Sequence, residues 1–206
     1  MIYRLFMKRV LDFLVAVILL VILFIPMCIV GLLIKITSKG PVFFIQERYG
    51  RNSLPFKLYK FRSMVVAAPE IANSNFSSIQ NYITPFGMFI RKTSIDELPQ
   101  LWNIIKGNMS FIGPRPLAIT DDKVLRLRKI NGADSVFPGI SGLAQVNGRN
   151  NITDEEKALY DAKYAAKLSF HLDMILVFET IVSVIGRKGV FNDNVIDSKK
   201  RDKGME

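Results

Sequence analysis

The 206-residue chain has one cysteine, one histidine and one tryptophan, and two of these scarcities each remove a class of function. A lone Cys28, set inside an apolar run, rules out an intramolecular disulfide and a cysteine-built zinc site. A lone His171 removes Ser-His-Asp and Cys-His triads and multi-histidine metal centres. Between Phe170 and Leu172 it reads as a helix-start or boundary residue. No Walker-type loop and no Gly-x-Gly-x-x-Gly sequence is present, so neither a P-loop NTPase nor a dinucleotide fold is supported. Zinc-finger spacing and basic-aromatic RNA-binding motifs are absent too, and nucleic acid is not an expected partner. Internal repeats are lacking. Acid–base or nucleophilic chemistry must come from carboxylates, lysine, tyrosine or serine.

Apolar and basic residues are abundant. Half of the chain is hydrophobic, and 28 basic against 18 acidic residues give a net charge of +10. Together these favour an anionic membrane surface or phosphorylated small molecules as partners. Phe13 to Ile34 carries no charged residue. A straight helix over that run would be about 33 Å long, enough for a hydrocarbon core of roughly 30 Å. Pro26 interrupts the run and predicts a kink, because proline cannot bond back to the carbonyl of Ile22. Both flanks are basic: Arg4, Lys8 and Arg9 before, then Lys35, Lys39, Arg48 and Arg51 after. Positive residues favour the cytoplasmic side, and here neither end yields. A kinked helix that dips into one leaflet and returns satisfies both ends; a single spanning helix is the alternative, and physics alone leaves both open. Asp12 is expected to pair with a neighbouring cation.

Three regions follow: residues 1–38 as the membrane helix with basic flanks, 39–186 as the main domain, and 187–206 as a basic, poorly ordered tail. In the second region Val42–Gln46 and Phe56–Phe61, separated by a Gly50–Pro55 break, suggest a hairpin. Pro69 to Pro85 is polar and reads as a loop. Ile119–Ile130 reads as a basic helix. Phe137 to Asn150 is glycine-rich, too irregular for either period, and reads as a structured loop. Thr153-x-x-Glu156 is a capping box opening a helix to about Leu168. Met174, Val177, Phe178, Ile181, Val182 and Ile185 form an apolar stripe, which suits either a core helix or one lying on a membrane surface.

The most informative stretch is residues 91–116, RKTSIDELPQLWNIIKGNMSFIGPRP. Leu98, Leu101, Trp102 and Ile105 are spaced as the stripe of an amphipathic helix, which Lys106-Gly107 would end. Pro99 is tolerable in a first turn. This predicts Asp96 near the N-cap, Glu97 in the first turn and Trp102 on the apolar face. Arg91, Lys92, Lys106 and Arg115 flank the acids. The modest reading is that Asp96 caps a helix and Glu97 complements its dipole. The functional reading is a carboxylate pair acting on a phosphorylated, metal-bound substrate. Gly113-Pro114-Arg115-Pro116 is a stiff loop that could present its guanidinium to phosphate, and Asn147-Gly148-Arg149-Asn150 offers a second arginine. Lys60, Arg62 and Arg91 could add charge.

Assembled in order, these residues resemble the monotopic phosphoglycosyl transferases, the bacterial sugar transferase family. The likeness runs from about Lys8 to Thr180. It includes Lys8-Arg9 with Asp12, Pro41-Val42-Phe43-Phe44 with Gln46, Arg48 and Gly50, and Lys60 to Met64. Ser94 to Gln100, Met109-Ser110, Gly113 to Pro116, Pro138-Gly139-Ile140, Gly142 to Arg149 and Leu168-Ser169 with Asp173 complete it. The resemblance implies an α+β fold, mostly helical, with a re-entrant N-terminal membrane helix broken at Pro26, a short β-hairpin and amphipathic interfacial helices. It implies transfer of a phosphosugar from a UDP-sugar to undecaprenyl phosphate, releasing UMP, as the first membrane step of surface glycan assembly. Asp96 would be the nucleophile, forming a phosphosugar-aspartate, and Glu97 its partner. Both would hold Mg²⁺. Arg115 and Arg149 fall on phosphate- and nucleotide-binding positions, and Lys60, Arg62 and Arg91 are assigned with them to substrate binding. The active site would face the cytoplasm from the bacterial inner membrane. Ile25 before the break proline, Asn108 before Met-Ser and Phe137 before Pro-Gly depart from the pattern.

Overall fold

A computed structural model describes residues 2–68, 80–148 and 152–185. The polar loop expected over 69–85 falls mostly outside those residues, as do Arg149 and the basic tail. After a π-helical turn, Tyr3–Met7, the long helix α1 covers Lys8–Thr37. Its residues 16, 19/20, 23, 27, 30 and 34 recur at spacings of three and four, and this stripe packs on the rest of the chain. Ala16 joins Leu58, Leu101, Ile104 and Met109, with Leu19, Leu20 and Leu23 alongside. Further along, Ile34 joins Phe61 and Ile90, with Met27 and Val30 alongside. The other faces, including Phe13, Ile18, Val21, Phe24, Ile25 and Leu32, are exposed. The helix continues through Pro26 without interruption. Packing on both sides of Pro26 offsets the missing backbone bond, so the expected kink does not divide the helix.

The hairpin is present. β1 (Phe43–Tyr49) pairs antiparallel with β2 (Pro55–Phe61), Phe44 opposite Lys60 and Arg48 opposite Phe56. Paired residues share a face, so Gln46, Arg48, Leu58 and Lys60 point the same way. α2 (Pro85–Lys92) starts where the Thr84 hydroxyl accepts from the Gly87 N–H at 2.9 Å, with proline at its first position. α3 (Gln100–Ile105) is fastened to α1 at its end: Arg9 donates to the carbonyls of Ile104 and Met109, at 2.5 and 2.8 Å. The Ile104 carbonyl lies at the end of α3, where a cation suits the helix dipole, and the Met109 carbonyl lies just before β3 begins at Ser110. Gly107, at φ 90°, ends it as its glycine predicts.

The glycine-rich stretch after Phe137 is more ordered than expected. β3 (Ser110–Ile112) pairs in parallel with β4 (Gly139–Ser141), and α5 (Leu143–Asn147) follows directly. The Gly113 N–H donates to Ser141 at 2.8 Å and the Gly139 N–H to Pro114 at 2.9 Å. A Cβ on Gly113 or Gly139 would collide with the opposing backbone, so these glycines permit the approach. α4 (Asp122–Asn131) starts three residues later than its basic pattern suggests. α6 (Asp154–Lys167) opens on the expected capping box, with Thr153 and Glu156 bonding each other's backbone N–H at 3.2 and 2.7 Å. α7 (Phe170–Ile185) buries Leu176 but exposes Met174, Phe178, Ile181 and Val182, and His171 is exposed in its first turn. Its stripe is therefore largely a surface stripe.

A buried polar node joins α1 to the body. Lys8 Nζ lies 2.6 Å from Asp173 Oδ2, and the Tyr3 and Tyr164 hydroxyls donate to the same carboxylate at 2.5 and 2.8 Å. Asp12 lies 3.8 Å from Lys8 and accepts from Ser110 Oγ at 2.6 Å. The expected pairing of Asp12 with a cation is thus present, but deep in the fold. Removing one member of a buried pair strands the other, at a cost of about 3–5 kcal/mol. Asp173→Ala should lower the thermal unfolding midpoint of the detergent-solubilised protein accordingly. Arg126→Ala, which breaks an exposed pair with Asp122, should change stability by less than about 0.5 kcal/mol.

Candidate active site

Asp96 and Glu97 do not open the helix that follows them. They sit on a separate 3₁₀ turn, Ile95–Glu97, and α3 begins at Gln100 after Pro99. Two uncommon backbone states bracket the pair. Ser94 is left-handed at φ 57°, and Leu98 is helical immediately before a proline, which disfavours that conformation. Such costs are tolerated where the surroundings fix the chain, and they cluster at functional sites. The buried face of α3 is Gln100, Leu101, Asn103 and Ile104, whereas Trp102 is 46% exposed, with the Lys106 ammonium 5.5 Å from its ring centre. Trp102, expected on the apolar face, thus lies beside the buried face rather than in it, and Asn103 takes the buried position next to it.

Asp96 lies just beneath the surface, 9% exposed. Burial pushes its carboxyl up to about 6; Lys60 opposes this, Glu97 adds to it, and Arg91 and Arg115 pull it back down. The stabilising field comes from these three cations rather than from a helix terminus. Lys60 Nζ donates to Glu97 Oε1 at 2.7 Å. Burial lowers the Arg91 pKa; Asp96 works against that shift and Arg115 with it, so both cations are close to the pair. A cleft in front of Glu97 is lined by Arg48, Lys60, Gln100, Arg115 and Ile140. Arg115 itself is exposed on its Pro-Arg-Pro loop. That loop is held from behind: Arg128 donates to the Arg115 carbonyl at 2.8 Å and is paired at 2.6 Å with buried Asp161.

The structure thus brings Lys60, Arg91 and Arg115 to the carboxylate pair. It takes Arg62 elsewhere: the buried guanidinium donates to the carbonyls of Ser38 and Lys39, both at 2.7 Å, fastening the chain just after α1. Arg149 lies outside the described residues. Arg48 was not singled out for the site from sequence, although its place opposite Phe56, on the Lys60 face of the hairpin, is the signal that locates it. Phe137, the departure from the arginine pattern, stands between Arg9 and Arg51, whose guanidinium carbons lie 5.5 and 4.9 Å from its ring centre. Among the described residues no group of three or more His, Cys, Asp or Glu side chains converges. Two adjacent carboxylates, Glu97 of which lines the cationic cleft, nevertheless suit Mg²⁺, which takes one or two carboxylates and fills its shell with phosphate oxygens and water.

The site is thus a turn carrying buried Asp96 and half-buried Glu97, with Lys60, Arg91 and Arg115 close by, in a body packed against a long apolar helix. The bacterial sugar transferase profile matches residues 3–187, and the chain belongs to that family. A UDP-glucose:undecaprenyl-phosphate glucose-1-phosphate transferase of Escherichia coli K12 is 35% identical over 193 residues, covering 90% of this chain and 41% of the relative. An uncharacterized sugar transferase of Bacillus subtilis 168, EpsL, is 37% identical over 194 residues, covering 94% of this chain and 95% of the relative. The exopolysaccharide production protein ExoY of Rhizobium meliloti is 34% identical, with 89% and 88% covered. The chain therefore spans about two fifths of the length of the E. coli relative and most of the two shorter ones.

The raised Asp96 pKa has a consequence for stability. Below about pH 4 the group is protonated both folded and unfolded; as pH rises through 6 the fold must hold a buried carboxylate. The stabilising contribution present at low pH is lost in that window. In metal-free buffer at pH 8, Asp96→Asn should unfold at a higher temperature than wild type, by on the order of 2 kcal/mol, and the gap should close towards pH 4. Parallel thermal melts across pH measure it.

Proposed function

We propose that the protein moves a sugar 1-phosphate from a UDP-sugar to undecaprenyl phosphate at the membrane surface, with Asp96 as nucleophile. The observation that carries this reading is the Asp96-Glu97 turn held among three cations in a body packed on a helix whose remaining faces are apolar and exposed. In the first step an Asp96 carboxylate oxygen attacks the β-phosphorus of the donor. The bond from that phosphorus to the bridging oxygen breaks, and UMP leaves. In the second, a phosphate oxygen of the polyprenyl phosphate attacks the same phosphorus, releasing the Asp96 carboxylate and forming the polyprenyl-diphosphate-sugar. Covalent catalysis splits one difficult displacement into two. Lys60, Arg91 and Arg115 neutralise phosphate charge in a partly buried site, where fixed cations act strongly. Mg²⁺, held by Asp96 and Glu97, would supply further neutralisation of the phosphates. The names of the E. coli and Klebsiella pneumoniae relatives, both UDP-glucose:undecaprenyl-phosphate glucose-1-phosphate transferases, support the donor and acceptor classes.

Membrane placement belongs to the same proposal. Helix α1 meets the body at both ends: Lys8 and Arg9 bond to Asp173, Ile104 and Met109, while Ile34 packs against Phe61 and Ile90. A helix that crossed the bilayer would carry one end away from a body on the other side. Exposed Phe24, Ile25, Phe178 and Trp102 supply the apolar and interfacial contacts that a helix lying in one leaflet needs. The active site then faces the cytoplasm at the inner membrane, where a soluble donor and a lipid acceptor meet.

Incubation with a panel of UDP-sugars, Mg²⁺ and undecaprenyl phosphate should release UMP. Asp96→Asn should reduce that release at least 10³-fold, by roughly 4 kcal/mol in transition-state stabilisation; ordinary turnover by the variant would remove Asp96 from the nucleophile role. For topology, Arg4→Cys and Lys39→Cys in a Cys28→Ser background should both resist a membrane-impermeant thiol reagent in intact cells and react after lysis. Labelling of Arg4→Cys in intact cells would contradict the one-leaflet placement.

A further inference from the structure

We propose that Asn103, which is not among the site residues expected from sequence, is a positioning residue that holds the Lys60 strand against the Asp96-Glu97 turn. This rests on the reaction proposed above. In the two-stranded hairpin, one edge of β2 pairs with β1 and the other needs a partner. Asn103, fully buried on α3, supplies it: Oδ1 accepts from the Tyr59 N–H at 3.1 Å and Nδ2 donates to the Lys57 carbonyl at 2.7 Å. One carboxamide thus imitates a neighbouring strand across Leu58, whose side chain packs with Leu101 and Ile104. One residue beyond Tyr59, Lys60 reaches Glu97 at 2.7 Å.

These contacts close a ring. The chain runs from Glu97 through Leu98 and Pro99 into α3, from Asn103 across to β2, and along β2 to Lys60, which returns to Glu97. A leucine of similar size at 103 would fill the space but leave the half-buried Tyr59 N–H and the Lys57 C=O without these partners, and the strand would be free to shift along α3. Displacements of about 1 Å at a reacting centre cost of order a hundredfold in rate. Asn103 touches none of the reacting groups itself, so its influence must pass through Lys60.

That dependence is testable by a double-mutant cycle in UMP release. Asn103→Ser, whose hydroxyl still fits the gap, should lower kcat about tenfold, and Asn103→Leu about a hundredfold. Lys60→Met should lower kcat as well, and adding Asn103→Ser to Lys60→Met should cause little further loss. Additive losses, or wild-type kcat in the Asn103 variants, would overturn the proposal, even where the variants melt at lower temperature. If Asn103→Leu does not accumulate, Asn103→Ser decides alone. If wild type releases no UMP from any donor, the reaction reading fails separately. Amide hydrogen exchange then decides the geometry: the Tyr59 N–H should be slow in wild type and fast in Asn103→Ser, and equal rates would refute the contact.

Discussion

The constraint on which the rest depends is that a helix with mostly apolar, exposed sides must be fastened to a polar catalytic body. The buried node of Lys8, Asp12 and Asp173, with Tyr3, Tyr164 and Ser110, does this at the start of α1. Ionic groups this deep contribute little net stability compared with apolar replacements, but they enforce one arrangement, because any slip leaves a charge unpaired. Arg9 and Arg62 do the same work with backbone carbonyls, one at the end of α3 and one just past the end of α1. Basic residues that look in sequence like simple membrane flanks are in part structural bolts.

The fastening reaches the site. Ile95 and Leu98, on either side of the acidic pair, pack in the same cluster as Met27, Val30 and Ile34 of α1. The turn that carries the carboxylates is therefore joined to the apolar helix through one apolar cluster, which also holds Phe61 and Ile90. In the proposed reaction this gives the lipid phosphate and the nucleotide a common meeting point, since the depth of α1 in the membrane sets the height of Asp96. The cationic cleft opens from the other side of the turn, between the hairpin face and the Arg115 loop.

Local signals were readable where chemistry repeats with a period or a cap. The hairpin, the Thr153 capping box, the Gly107 stop and the α7 stripe all emerge from spacing. The acidic pair was legible as a site candidate, with Lys60, Arg91 and Arg115 as its cations. What was not legible depends on partners distant in sequence. The parallel pairing of Ser110 with Gly139 spans three residues per strand, too few to show a period. Trp102 completes an apolar stripe in sequence yet is exposed, whereas polar Gln100 and Asn103 are buried because their partners lie on other elements. The same blindness hid Asn103, whose role exists only once β2 lies beside it. Arg62 follows Lys60 by two residues, yet it lies past the end of the strand and turns to a different neighbour.

Everything functional in this account turns on a covalent bond at Asp96. The most direct measurement is intact-mass and peptide mass spectrometry of protein mixed with a UDP-sugar and Mg²⁺, without lipid acceptor, and quenched in acid. A phosphosugar adduct should appear on the peptide containing Asp96, be lost on adding undecaprenyl phosphate and be absent in Asp96→Asn. UMP release that needs the lipid acceptor from the outset, with no adduct at any time, would contradict it.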